Sequence, residues 1–136
     1  MPWEGTSETE VKPTHFDLSV QDLGAARRFF ETAPGWRFER FPMPYECYRI
    51  QAGPVGEPGI DASMGAIADA PLAAGRPFAQ LTVPVPDLDP AKSRVLEAGG
   101  RVVEPRLPIR GVGWYATCAE PGGLCFGLIQ ADASAS

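Results

Sequence analysis

A chain of 136 residues is about one domain long, enough to bury a core without a metal or disulfide staple, and 44% apolar with 21% charged residues fits an ordinary globular class. The formal net charge of −5 argues against a nucleic-acid partner, since phosphate binding draws on clustered Lys and Arg. No apolar run approaches the roughly 20 residues that span a bilayer and residues 1–12 are polar and partly acidic, so no membrane partner and a cytoplasmic location are expected.

Residues 1–13 show no sustained periodicity and read as an arm, in which Trp3 is placed to dock on the body. From His15 to Val20 the apolar Phe16, Leu18 and Val20 alternate with His15, Asp17 and Ser19, the period-two pattern of a half-buried strand. Asp22 suits a helix N-cap, and Leu23, Ala26, Phe29 or Phe30, and Ala33 come after it at helical spacing until Pro34-Gly35 stops the run. Residues 36–41 and 45–52 read as a strand pair joined around Pro42-Met43-Pro44. A Gly- and Pro-rich loop over 53–59 leads to a last strand at 60–67. Residues 69–77 link this half of the chain to the second.

The second half repeats the pattern of the first. At an offset of 65 residues His15 falls on Gln80, Leu18 on Val83, and Val20, Asp22, Leu23, Ala26, Ala33, Gly35 and Glu39 fall on Val85, Asp87, Leu88, Ala91, Ala98, Gly100 and Glu104. Two copies of such a unit suggest a duplicated half-domain. In the second copy Leu81, Val83 and Val85 repeat the core face, and Gln80 and Thr82 the wetter one. A helix over about 88–98 starts at Asp87 or Asp89 with Pro90 in its first turn, and Gly99-Gly100 ends it. Residues 101–104 are strand-like, and 113–119 with 124–130 form a hairpin across Glu120-Pro121-Gly122-Gly123. That four-residue loop sets Cys118 opposite Cys125 and puts Trp114, Ala116, Cys118, Cys125 and Gly127 on one face, with Phe126 and Leu128 on the other. Residues 131–136, small and polar, read as a flexible tail. Each copy is therefore strand, helix, strand, strand, strand.

Three cysteines without a secretory signal make no disulfide framework, and their spacing lacks a CxxC zinc pattern. His15 is the chain's only histidine, and imidazole is the side chain best suited to proton exchange near neutral pH. Asp17 and Ser19 lie on its face, where they can orient it or meet a ligand.

These features resemble the vicinal oxygen chelate superfamily, which includes glyoxalase I, bleomycin-resistance proteins and extradiol dioxygenases. The residues that carry the resemblance are His15-Phe16-Asp17-Leu18, Ala25-Ala26-Arg27-Arg28-Phe29-Phe30, Pro34-Gly35-Trp36, Gly56-Glu57-Pro58-Gly59-Ile60, Ala98-Gly99-Gly100, Gly111-Val112-Gly113-Trp114, and Glu120-Pro121-Gly122-Gly123 with Phe126-Gly127-Leu128-Ile129-Gln130. The last two look like the family's G-x-G-W and D-P-x-G-N hairpin. The resemblance covers most of residues 14–130, one domain whose units run over about 14–68 and 78–130. It implies an α+β fold of two βαβββ units forming a cup-shaped sheet, commonly as a homodimer.

The resemblance also implies a divalent ion, such as Zn, Ni, Mn or Fe, held by residues on the first and last strands of each unit. Residue by residue, those positions are His15, Gln80, Gly127, and either Asp61 or Ser63. Gly127 stands where metal-binding members carry glutamate, and histidine with an amide brings no carboxylate to offset a hard ion's charge, so no cofactor is expected. The candidate catalytic pair is His15 and Asp17. The candidate ligand contacts are Ser19, Gln80, Thr82, Cys125, Trp114 as an aromatic wall, and Tyr48, which shares with Tyr45 and Cys47 a strand that lines the cup in relatives, which of the three faces inward being open. The expected function is binding of a small organic molecule. The alternatives are a metal-dependent lyase, isomerase or dioxygenase using His15, and a metal-free acid–base enzyme.

Overall fold

The computed structural model describes residues 12–69 and 76–136. The Trp3 arm and most of the 69–77 linker lie outside them. The chain divides into two compact units, Thr14–Leu81 and, for its larger part, Thr82–Ser136.

The first unit runs β1 (His15–Val20), α1 (Leu23–Thr32), β2 (Arg37–Arg40), β3 (Cys47–Gln51) and β4 (Asp61–Ala66), with one 3-10 turn after it at Ile67–Asp69. The second runs from β5 (Phe78–Pro84), within which the boundary falls, through α2 (Leu88–Glu97), β6 (Arg101–Ile109), β7 (Gly113–Ala119) and β8 (Cys125–Ala131). The strands lie in the order β2-β3-β4-β1 in one and β5-β8-β7-β6 in the other, the same sequence of neighbours read from opposite ends. Both are βαβββ units of an α+β fold.

The helices form where capping and periodicity agree. Asp22 accepts a hydrogen bond from the Ala25 N–H at 2.9 Å, and Asp87 accepts one from the Asp89 N–H at 3.3 Å, so each carboxylate satisfies a donor that the first turn leaves open. Leu23, Ala26 and Phe30 carry α1 onto Ile50, Ala62 and Met64. Leu88, Ala91 and Val95 carry α2 onto Val85, Ala116, Cys118 and Leu128. Gly99 then adopts φ 90°, the left-handed turn that stops α2.

β6 continues past the expected residue 104 to Ile109, through Pro105 and Pro108. Among the described residues it pairs only with β7, at the edge of the sheet, and takes two register shifts along the way, the setting in which strands tolerate prolines.

The hairpin differs from its expected register by one residue. Ala119 pairs with Cys125 and Cys118 with Phe126, so the loop holds five residues, not four. A one-residue slip exchanges the faces. Trp114, Ala116 and Cys118 therefore share the α2 side with Phe126 and Leu128, while Tyr115 and Thr117 share the other with Cys125 and Gly127. Cys118 and Cys125 do not oppose each other and are both free thiols.

Residues 132–135 are also tied down, where a flexible tail was expected. The Asp132 N–H donates to the Val112 carbonyl at 2.9 Å, the Gly111 N–H donates to the Ala135 carbonyl at 3.0 Å, and Ala135 is buried. The Asp132 carboxylate anchors this turn, accepting from the Ser134 hydroxyl at 2.6 Å, the Ser134 N–H at 2.9 Å and the Trp114 indole at 3.1 Å. The Ser134 hydroxyl, its N–H and the Trp114 indole, in that order, hold the Asp132 carboxyl below its ordinary range. A depressed carboxyl pKa stabilises the fold above the unfolded value of about 3.8 and ceases to as pH falls through the lower folded value. The melting-point gap between the native chain and Asp132→Asn is therefore expected to close below about pH 3.8. A gap that stays constant from pH 7 to pH 3 would contradict this role.

Candidate functional site

Strand register builds the polar face of the first unit. β1 and β4 run parallel with His15 beside Asp61, Asp17 beside Ser63 and Ser19 beside Gly65. β3 adds Cys47 beside Gly65 and Arg49 beside Ser63. Phe16, Leu18 and Val20 take the other face, against the α1 core. The alternation read from the sequence thus sets His15, Asp17 and Ser19 on one polar surface.

On that surface Asp17 is the hub. The Ser63 hydroxyl donates to Asp17 Oδ1, and His15 Nε2 stands 3.5 Å from the same oxygen. The His15 spacing is within ion-pair reach and longer than a mature hydrogen bond. Both side chains are about one third exposed, so they remain open to a binding molecule. Asp61 is occupied with structure, its Oδ1 accepting the Ala52 N–H at 2.9 Å.

Cys47 shares this surface, and burial pushes its thiol pKa up, as it does that of Cys118. Both are therefore held as thiols, the poor nucleophilic form. Tyr48 lies elsewhere: it pairs with Met64 on the α1 side, under the Arg27 guanidinium at 4.8 Å, and its hydroxyl donates to Glu46 at 2.6 Å. Tyr48 is thus withdrawn from the ligand contacts, because strand parity gives the polar face to Cys47 and Arg49.

On β5, Gln80 and Thr82, which stand on either side of the unit boundary, alternate onto one face, both buried. Thr82 pairs with Gly127 across the parallel β5–β8 ladder. The Thr82 hydroxyl shares a 3.2 Å hydrogen bond with the phenol of Tyr115, whose ring lies over Gly127. A Cβ built on Gly127 would meet that phenol oxygen at 1.8 Å. Cys125 lies on the Gly127 face. Trp114 does not: its indole donates to Asp132, and Arg106 stacks on its other side at 4.5 Å. Trp114 is accordingly a packing residue of the α2 side and no wall of this face. Tyr115 was missed because the misplaced hairpin register hid it; a five-residue loop would have exposed it.

Register also decides between Asp61 and Ser63. Ser63 stands beside Asp17 as Gly127 stands beside Thr82, and Asp17 and Thr82 are related by the 65-residue offset. The four positions that the resemblance assigns to a metal are thus His15, Ser63, Gln80 and Gly127. They include no carboxylate, the Ser63 hydroxyl is directed to Asp17, and Tyr115 fills the space over Gly127. This donor set does not fit a hard divalent ion. Among the described residues no group of three or more His, Cys, Asp or Glu side chains is placed to hold one.

The comparisons with known proteins agree with this architecture. The family model described as bleomycin resistance protein-like N-terminal matches residues 12–53. Proteins of Mycobacterium bovis and Mycobacterium tuberculosis, both named "Putative glyoxylase CFP32", are 28% identical over 128 residues, which is 88% of this chain and 46% of theirs. The chain thus spans about half the length of the curated relatives it matches. Methylmalonyl-CoA epimerase from Mycobacterium tuberculosis superposes with a TM-score of 0.69 at 17% identity, covering 88% of this chain and 87% of that one. A methylmalonyl-CoA epimerase in complex with methylmalonyl-CoA and NH4+ gives 0.66 at 15% identity, with 93% and 98% covered. A hypothetical protein from Bacillus halodurans gives 0.70 at 12% identity, with 94% and 99% covered. The family model thus matches most of the first unit up to β3, and the solved structures show that the chain shares the fold of the methylmalonyl-CoA epimerases. Among the described residues no helix is long and apolar enough to cross a membrane.

Proposed function

We propose that this chain binds a small organic molecule on the polar face of its first unit, and that no divalent ion serves there in the family's chelating role. The observation that carries the reading is the Asp17 carboxylate, held by the Ser63 hydroxyl with the His15 imidazole 3.5 Å away. Together they present donors and acceptors to a carbonyl- or hydroxyl-bearing ligand on a partly exposed surface. The donor set His15, Ser63, Gln80 and Gly127, without a carboxylate, supports the metal-free part.

Elemental analysis of untagged protein purified without chelator is expected to find far less than one Zn, Ni, Mn or Fe per chain. Adding those ions is expected to leave the melting point unchanged, since only a ligand that favours the native state raises it. Stoichiometric metal, with a melting-point gain that His15→Ala removes, would overturn the reading and establish the metal-dependent lyase, isomerase or dioxygenase in its place.

A second reading rests on the same pair of side chains. A carboxylate beside an imidazole is the arrangement that orients a general base, and metal-free proton transfer next to a carbonyl needs such a pair. It requires that His15→Ala abolish turnover of a substrate that still binds. Unchanged turnover in that variant would leave binding alone.

A further inference from the structure

Beneath α2, on the side of the second unit's sheet away from Thr82 and Gly127, lies an open cavity of about 410 Å³. Its walls are mainly apolar, among them Val95 and Ala98 from the helix and Ala119, Phe126 and Leu128 from β7 and β8. The duplicated sequence explains why it is open here. In the first unit the space between helix and sheet is plugged by aromatic rings: Phe30 stacks on Trp36 at 4.8 Å and 9°, and Phe16 meets the edge of Trp36 at 6.2 Å. At the 65-residue offset Phe16, Phe30 and Trp36 become Leu81, Val95 and Arg101. Leu81 is 51% exposed and Arg101 is exposed, so neither takes the place of a lost ring, and Val95 is too short to do so. Phe126, which by register stands where the first unit has Ala62, refills only part of the space and forms a wall.

Two charged residues also line the cavity. The Glu120 carboxylate is spent on its own turn, accepting from the Gly122 N–H at 2.6 and 2.8 Å and the Leu124 N–H at 3.3 Å. Arg94 makes no ion pair among the described residues. Ligand sites are commonly clefts of this size, apolar with a few polar groups that fix orientation, and an apolar void of about 150 Å³ is enough to bind benzene.

From these features we infer a second binding site, separate from the polar face, for a planar aromatic carboxylate of one or two rings. The rings replace the missing aromatic plug, and the carboxylate meets the Arg94 guanidinium, whose planar fork suits it.

The test is titration calorimetry of the full chain with 2-naphthoate, beside neutral 2-methylnaphthalene. Saturable binding of 2-naphthoate near one molecule per chain is expected. Arg94→Gln should weaken the acid about tenfold and leave the hydrocarbon unchanged, a charge-assisted bond being lost. Val95→Phe, which restores the first unit's ring, should abolish both while keeping or raising the melting point. His15→Ala should leave both intact, which separates this site from the polar face. Absence of saturable 2-naphthoate binding, binding equally strong in Val95→Phe, or loss in His15→Ala would each overturn the inference. Equal weakening of acid and hydrocarbon by Arg94→Gln would overturn the assignment of the carboxylate.

Discussion

Gly127→Ala is expected to destabilise the protein by about 1–3 kcal/mol although it adds only one methyl group, a typical cost of forcing atoms into filled space. The new Cβ would lie 1.8 Å from the Tyr115 hydroxyl, 2.3 Å from Cζ and 2.8 Å from Cε2, so the whole end of the ring must swing aside. Swinging it breaks the hydrogen bond between Tyr115 and the buried Thr82. Thermal melts of Gly127→Ala, Tyr115→Ala and the double variant would show it: the double variant should lose less stability than the two singles together. Strict additivity would mean that the ring and the glycine are not coupled. The same geometry bears on the site, because it fills the space over Gly127, the position of this unit at which the resemblance implies a carboxylate.

Ile50→Ala is expected to cost about 2–5 kcal/mol, the range for removing a buried aliphatic side chain whose surroundings cannot collapse onto the gap. Ile50 is fully buried, pairs with Ala62 across β3 and β4, and packs with Met64 beneath α1. Its neighbour Arg49 points to the polar face, exposed, and Arg49→Ala should change stability far less. Chemical denaturation of the two variants distinguishes them. Similar losses in both would mean that the core of this unit is not under the helix.

Most of the scaffold was legible because local signals were redundant. The repeat at 65 residues, the aspartate caps, the alternation along β1 and the glycines after α2 each specified the same unit; α1 starts at the residue after its predicted cap, and α2 after Asp87, one of the two candidates for its cap. The polar grouping of His15, Asp17 and Ser19 comes from parity alone and holds. Parity failed wherever it depended on a loop length. Glu120 folds its carboxylate back onto Gly122 and Leu124, and that wider turn takes in one more residue than the Pro-Gly-Gly pattern suggests, which moves Trp114 to one face and Tyr115 to the other. Tyr48 was misplaced for a related reason: strand β3 begins after an irregular turn, so nothing local fixes its phase. The cavity beneath α2 was not visible either, since small side chains at helical spacing look the same whether the space between them is filled or open.

The parallel pairing of β1 with β4 has a consequence for how the polar site comes into being. Asp17 and Ser63 are 46 residues apart in the chain, with a helix and two strands between them. The β2–β3 and β3–β4 ladders join near neighbours and can form early, whereas the β1–β4 closure carries the larger loop entropy. The His15, Asp17 and Ser63 cluster therefore rests on a long-range pairing of its unit, and opening the β1–β4 ladder would separate Asp17 from Ser63. A molecule bound across Asp17 and Ser63 would strengthen that pairing, since a ligand that binds only the folded state stabilises it.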